Sequence, residues 1–376
     1  MRVGLDASPV ASVFGGVSNY VCSLLRVLAN IHKDTELIAY IPPGLSGLVK
    51  RKFVDFCDII QWKEISQLAY RSQGQVDNLD LFHGTNFKCQ TYGRHGSVLT
   101  IHDLWLDRHP EYSKKFFGQR LSFYRTKKRV QQAARIIAVS NFTAREIHEL
   151  YDVPVEKIAV IHHGISKYFF PDPGDNKIFD GWRESHGVPN KPFILFVGGA
   201  NPRKNHDTLF RAFASDPIFA KNYSLLILGN PIFKDVSIRT TMDELGLHQS
   251  VISIDQVSCE ELRVLYSRAS LFAWPTRYEG FGFPVLEAMA CGAPVVTSNC
   301  SALPEVTGDA ALLINPESAE DLAYEMKRVL QDQDLQDVLR KKGVTQAARF
   351  DWVRTAEHTL QVYYEVAQAH KKSSLV

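Results

Sequence analysis

Residues 275–298 read PTRYEGFGFPVLEAMACGAPVVTS. The apolar run LFAWP at 271–275 leads into them, and a loop carrying Glu279, Gly280 and Gly282 follows. Pro284 then introduces the helix-forming run Leu286, Glu287, Ala288, Met289 and Ala290, and PVVTS at 294–298 reads as the next strand. Proline is favourable just inside a helix start because the N–H it lacks would have no partner within the helix there. The helix is therefore predicted to open at Gly282 to Pro284. Strand, glycine loop, helix and strand make the repeating unit of a parallel α/β sheet.

The same rhythm runs outward in both directions. Short Val-, Ile- and Leu-rich runs occur at 2–6, 37–41, 79–84, 97–102, 135–140 and 158–164, then at 193–199, 224–229, 251–255, 271–275, 294–298 and 311–315. Runs apolar on both faces read as parallel strands covered by helices. A chain of 376 residues has room for two such sheets. The rhythm breaks between Ser166 and Lys191, where FFPDPGDNK intervenes. The expected domains are therefore 1–167 and 168–355. At the end, Trp352, Ala356, Leu360, Tyr363 and Val366 fall at helical spacing. Pattern alone leaves open which domain the helix of about 356–376 packs on, the first included.

Composition narrows the class. Lys plus Arg number 43 against 41 Asp plus Glu, a net charge of +2, which argues against nucleic-acid binding by bulk electrostatics. No apolar run approaches the ~20 residues that span a bilayer, so the expected location is the cytoplasm. The six cysteines form no CxxC pair, which suits reduced, mostly buried thiols. Adjacent His162 and His163 would point to opposite faces of a strand, so no metal site is expected.

The helix opening carries the positive end of a helix dipole, suited to an anion such as a diphosphate, and Gly280 and Gly282 let the main chain approach it. Glu279 and Glu287 flank it as acceptors for hydroxyls, the layout of a nucleotide sugar. The plain alternative is a capped helix with a surface Glu. A second loop, VGGANPRKNHDTL at 197–209, sets Arg203 beside Lys204 after a strand; alone it is a solvated basic turn.

Together these stretches resemble the EX7E region of retaining, two-domain GT-B glycosyltransferases of family 4. The resemblance lies in EGFGFPVLEAMACGAPVV and PRKN, is close in the carboxyl-terminal half and loose in the amino-terminal half. It implies two Rossmann-like parallel-sheet domains facing across a deep cleft, the first for the acceptor and the second for a UDP- or GDP-hexose donor, UDP-glucose or GDP-mannose. In that frame Arg203 and Lys204 grip the leaving diphosphate. Gly199 stands where many members place an Arg, so Arg203 supplies the guanidinium. Glu279 holds sugar hydroxyls and Glu287 the ribose. Gly280, Phe281, Gly282, Phe283, Val285 and Leu286 belong to the donor-binding site, and Gly229, Gln256 and Val257 lie near the base and nucleotide. No metal or other cofactor is required, since the basic pair takes that charge.

In the amino-terminal half, Gly15 and Gly16 are either a plain turn or the family's phosphate loop. His102 and Asp103 end the run SVLTIHD, where strand ends line ligand crevices; His102 is either a satisfied core histidine or the family's contact to the donor hexose. Between 112 and 135 basic residues gather without an acid, among them Lys114, Lys115, Arg120, Arg125, Lys128 and Arg129, with Phe117, Leu121 and Tyr124 on another face. That segment is either a solvated helix face or a peripheral membrane contact near a lipid-diphosphate saccharide acceptor. The expected activity is transfer of a hexose to a saccharide or lipid-linked saccharide in polysaccharide or glycoconjugate biosynthesis. The competing readings are a nucleotide-sugar epimerase of the same fold and a catalytically silent nucleotide-sugar-binding protein. A nicotinamide oxidoreductase would need GxGxxG in the first loop, which has only Gly15 and Gly16.

Overall fold

The computed structural model describes residues 1–11, 15–31, 34–47, 60–66, 77–87, 93–112, 116–172, 174, 176–229 and 235–373. They form two compact units, Met1–Gly164 with Asp351–Val376, and Ile165–Phe350.

The first unit is built on seven parallel strands: β1 (Arg2–Asp6), β2 (Glu36–Ile41), β3 (Gln61–Glu64), β4 (Leu81–Gly84), β5 (Ser97–Ile101), β6 (Arg135–Ala138) and β7 (Ile158–Val160), in the order β3-β2-β1-β4-β5-β6-β7. The second has six: β8 (Phe193–Val197), β9 (Ser224–Leu228), β10 (Val251–Ile254), β11 (Leu271–Trp274), β12 (Val295–Ser298) and β13 (Leu312–Ile314), in the order β10-β9-β8-β11-β12-β13. Each is the doubly wound pattern in which strand order reverses beside the first strand, at β1/β4 and at β8/β11. That reversal opens a crevice at the carboxyl ends of the strands.

Each of the twelve apolar runs contains a strand, and the central ones are sealed on both faces: Leu225, Leu226 and Ile227 of β9 are fully buried, as are Val98 and Leu99 of β5, whereas the edge strands β7 and β13 are half-buried, with Leu313 exposed. The thirteenth strand, β3, reads QWKE and, among the described residues, pairs only with β2. An edge strand with half-exposed residues has no continuous apolar run to betray it.

The last helix, Trp352–Ser373, belongs to the first unit and packs on the helix Gly16–Ile31. Trp352, Ala356, Leu360, Tyr363 and Val366 are all buried; the larger of them contribute roughly 1.5–3 kcal/mol each. Gly164 permits this crossing, for a Cβ there would lie 2.3 Å from Trp352 N.

The helix Phe116–Gln132 turns Phe123 and Val130 to the core, seven residues apart, while Tyr124 is exposed. The expected apolar face through Tyr124 is thus misplaced by about one residue, because the packing stripe follows the sheet rather than the aromatic count. Of the thiols, expected to be mostly buried, Cys291 is buried, Cys22 and Cys300 are half-buried and Cys259 is exposed among the described cysteines, while Cys57 and Cys89 lie outside the described residues.

Candidate active site

In the second unit the candidate residues gather at the carboxyl ends of four consecutive strands. Gln256 and Val257 follow β10, Gly229 follows β9, Arg203 and Lys204 follow β8, and Glu279 to Phe283 follow β11. The tightest group sits at the reversal between β8 and β11. After β8 the chain makes a single 3₁₀ turn, Pro202–Lys204, capped by the Asn201 side chain, which accepts from Arg203 N at 3.1 Å. Asn205 then takes the left-handed conformation (φ +61°), and its buried amide donates to Pro275 O at 2.9 Å and Pro316 O at 2.6 Å. That amide ties the β8 loop to the β11 loop.

Lys204 Nζ donates to Glu279 Oε1 at 2.6 Å and lies 4.3 Å from the centre of the Trp274 ring. Thr276 Oγ1 is 2.8 Å from Arg203 O and 3.2 Å from Glu279 Oε1, Arg277 N donates to Arg203 O at 2.8 Å, and Glu279 N donates to Ser301 Oγ at 3.0 Å. The main chain of Arg203 and both ends of Glu279 are therefore fixed. Arg277, also basic, is turned away by a two-pronged ion pair with Glu317.

The helix Phe283–Ala290 opens at Gly282, whose φ is +109°. Val285 and Leu286 are wholly buried, and their N–H groups return to Gly282 O at 3.1 and 3.2 Å. They form the packed seat of the loop, so a ligand at this helix end would meet Gly280 to Phe283. Gly229 has φ +147°, and a Cβ on it would lie 2.7 Å from Gly198 C. Glycine there lets the β9 and β8 loops touch backbone to backbone.

Glu287, one turn into that helix, is enclosed with Tyr266, whose hydroxyl donates to Glu287 Oε2 at 3.1 Å. Burial pushes its carboxyl up to about 8, with the Tyr266 hydrogen bond pulling the other way. At neutral pH, with no ligand beside it, Glu287 keeps its proton.

In the first unit Gly15 (φ +142°) precedes the helix Gly16–Ile31 and accepts from Asn19 N at 3.0 Å; a Cβ there would meet nothing, so conformation rather than space calls for glycine. His102 follows β5. Its Nε2 lies 2.8 Å from Thr85 O, and burial pushes the imidazole down to about 4, so it is neutral. A carbonyl only accepts, which puts the proton on Nε2 and leaves Nδ1 as an acceptor. Among the described residues no three His, Cys, Asp or Glu side chains group to hold a metal ion. Arg125 and Lys128 are exposed and Arg129 is half-buried on the helix Phe116–Gln132. Lys114, Lys115 and the Arg120 side chain lie outside the described residues.

Trp274, Thr276, Ser301, Asn205 and Tyr266 are site residues that the sequence reading did not single out. Asn205 stood next to the basic pair, and the turn signal there was the available clue. For Ser301 and Tyr266 none existed, since the fold alone brings them to the two glutamates.

The family model for glycosyl transferases group 1 matches residues 179–346, and that for glycosyltransferase family 4 matches residues 14–167. O-antigen chain mannosyltransferase B of Escherichia coli is 30% identical over 288 residues, 75% of this chain and 74% of that one. The chain is a family 4 glycosyltransferase. It also matches the E. coli serotype-specific mannosyltransferase WbdA, at 28% identity over 245 residues, but spans only 30% of that longer protein. Among solved structures, sucrose-phosphate synthase from Thermosynechococcus elongatus superposes on this glycosyltransferase with a TM-score of 0.80 at 21% identity, covering 98% of this chain and 100% of that one. HepE of Anabaena, in complex with UDP-glucose, gives 0.76 at 18% identity, covering 97% and 99%. At such identities the structural likeness speaks for the fold, the GT-B class with two parallel sheets. Among the described residues no helix of the glycosyltransferase is long and apolar enough to cross a membrane.

Proposed function

We propose that this glycosyltransferase moves a hexose from a nucleoside diphosphate sugar to a saccharide or lipid-linked saccharide, with retention at the anomeric carbon. The observation that carries the reading is the meeting of Lys204 and Glu279, a diphosphate-binding cation and a hydroxyl-accepting carboxylate, at the strand reversal of the second sheet. GDP-mannose is favoured over UDP-glucose by the mannosyltransferase relatives.

Breaking the glycosyl bond develops negative charge on the diphosphate. Lys204, Arg203 and the helix opening at Gly282 meet it in place, an electrostatic contribution that can lower a barrier by several kcal/mol. Glu279 accepts from sugar hydroxyls and Glu287 from the ribose. Nδ1 of His102 accepts from a substrate hydroxyl. Retention follows from same-face attack in which a donor phosphate oxygen takes the acceptor proton, and the basic pair fills the charge role of a divalent metal. The exposed basic residues Arg125 and Lys128 suit an acceptor that carries phosphate.

The test is thermal unfolding with GDP, UDP, GDP-mannose and UDP-glucose, followed by product analysis with the sugar that binds. A ligand at ~100 times its Kd should stabilise by ~2.7 kcal/mol. No stabilisation by any of the four would overturn the reading, and a product of inverted anomeric configuration would overturn retention.

A further inference from the structure

His102 is braced from a distance by a buried polar chain that begins on the last helix. Tyr363 Oη lies 2.6 Å from His83 Nδ1 on β4, and His83 Nε2 lies 2.8 Å from Thr100 Oγ1 on β5. Thr100 Oγ1 in turn lies 3.0 Å from Tyr20 Oη on the helix Gly16–Ile31. All four side chains are buried. The ring of Tyr20 then stands edge-on to His102, with centroids 4.9 Å apart and planes at 74°. On the imidazole lies His163, stacked at 5.4 Å, and Trp352 stacks on His163 at 5.8 Å. Two residues of the last helix thus reach His102, by routes that touch at Tyr20, whose ring also lies 4.8 Å from that of His163 and 6.2 Å from that of Trp352.

A phenylalanine at position 363 would pack the helix equally well. The hydroxyl is buried at a desolvation cost that its contact with His83 offsets. Neutral His83 has one donor and one acceptor, so whichever way Tyr363 bonds to Nδ1 sets the way Nε2 bonds to Thr100. Removing the Tyr363 hydroxyl leaves the buried His83 Nδ1 unmatched, removing that of Tyr20 takes one of the two partners of Thr100 Oγ1, and a turn of His83 or Thr100 is the way to a new partner. Because interiors are close-packed, such a turn is passed to the Tyr20 ring and from it to His102.

We propose that Tyr363 is a positioning residue: acting through His83, Thr100 and Tyr20, it fixes the imidazole of His102 so that Nδ1 meets the substrate hydroxyl. The proposal rests on the reading of His102 given above. A misplacement of about 1 Å at a reacting site can cost on the order of 10²-fold in rate, which sets the scale of the expected effect.

The experiment compares wild type, Tyr363→Phe, Tyr20→Phe, His102→Ala and the two doubles with His102→Ala. It measures release of GDP from GDP-mannose, or of UDP from UDP-glucose, together with binding of the free nucleotide. Tyr363→Phe should lower kcat by about tenfold or more with the Kd for the nucleotide unchanged, and should add nothing in the His102→Ala background. Unaltered kcat, or the same fold-loss with His102 already removed, overturns the proposal and leaves Tyr363 as a support of the helix. If Tyr363→Phe does not fold, Tyr20→Phe cuts the chain at its other end and must show the same non-additivity. Failure of the wild type to bind any nucleotide removes the proposed function itself, and the positioning role with it. Normal turnover by the wild type, with Tyr363→Phe turning over at the same rate, removes the positioning role alone.

Discussion

Lys204 and Glu279 lie 75 residues apart in sequence and 2.6 Å apart in space, with the ammonium also resting over the Trp274 ring. Their side chains are 14% and 9% exposed, so this is a largely desolvated pair joining the loops on either side of the strand reversal. An ammonium has three donors and can serve Glu279 and a phosphate oxygen together. If the donor binds as proposed, the contact pre-forms the site and can be kept while the ammonium meets a diphosphate.

Removing the cation strands the carboxylate. Lys204→Ala should destabilise the second unit by about 3 kcal/mol, the lower end of the range for a broken buried pair, and Glu279→Gln by less, since the amide keeps the shape without the charge. In the double variant the two losses should not add, with a coupling of about 0.5–3 kcal/mol. Urea denaturation of the three variants measures it, and strictly additive losses would show that the pair carries no energy. Transfer should fall by about 10²-fold or more in Lys204→Ala, as for loss of one charge-stabilising donor.

Two glycines of the site should differ in their tolerance of alanine. Both hold positive φ, so each substitution carries backbone strain of about 1–3 kcal/mol. At Gly282 the new Cβ would meet the end of a side chain, Leu303 Cδ2, at 2.8 Å; at Gly229 it would meet backbone, Gly198 C, at 2.7 Å. A side chain can turn aside and a backbone cannot. Gly229→Ala should therefore be the more destabilising, and Leu303→Ala should relieve part of the cost of Gly282→Ala but none at Gly229. Denaturation midpoints of the wild type, the three single variants and the two doubles with Leu303→Ala decide this.

How much of this was legible in the sequence follows from the range of the forces involved. The buried strands were visible because parallel sheets covered on both faces need unbroken apolar runs, and β3 was not, because an edge strand has no such need. Glu279 and Gly282 stand out by residue type and spacing next to a strand end, whereas Lys204, alone a solvated turn residue, stands out only through the resemblance of PRKN to the family. Ser301, Tyr266 and Asn205, which hold the glutamates and the two loops, reach them across 21 to 111 residues, and no local pattern encodes such contacts. The same is true of Tyr363 and His83, 280 residues apart. On the helix Phe116–Gln132 the local pattern misled, since Phe123 rather than Tyr124 faces the core.

Nucleotide binding should release a proton at neutral pH. Glu287 holds its carboxyl proton up to about 8 in the free protein because it is buried. Ribose hydroxyls donating to it would favour the charged form and lower that value. Calorimetry at pH 7 in two buffers of different ionisation enthalpy should report release approaching one proton per nucleotide bound, absent in Glu287→Gln. Equal heats in the two buffers would remove Glu287 from the ribose site.

The two units should respond to pH in opposite senses. In the first, burial holds His83 down to about 3, His102 to about 4 and His163 well below its ordinary range. An unfolded histidine takes its proton near 6.5, so between 6.5 and 4 the unfolded state binds protons that the folded one refuses. Stability of this unit is present above pH 6.5 and is lost as pH falls through that window. In the second unit Glu287 is raised from 4.5 to about 8. There the folded state keeps a proton that the unfolded chain has lost, so stability is full below 4.5 and falls as pH rises to 8, by a few kcal/mol at about 1.4 kcal/mol per unit. His206, held near 4 by burial, opposes this between 4.5 and 6.5 and not above. Hydrogen exchange resolved along the chain should show the first unit opening more readily at pH 5 than at pH 7, and the second more readily at pH 8 than at pH 6.5. Glu287→Gln, a neutral mimic of the protonated acid, should abolish only the second change. Parallel changes in both units would contradict the assignment of these groups as the source.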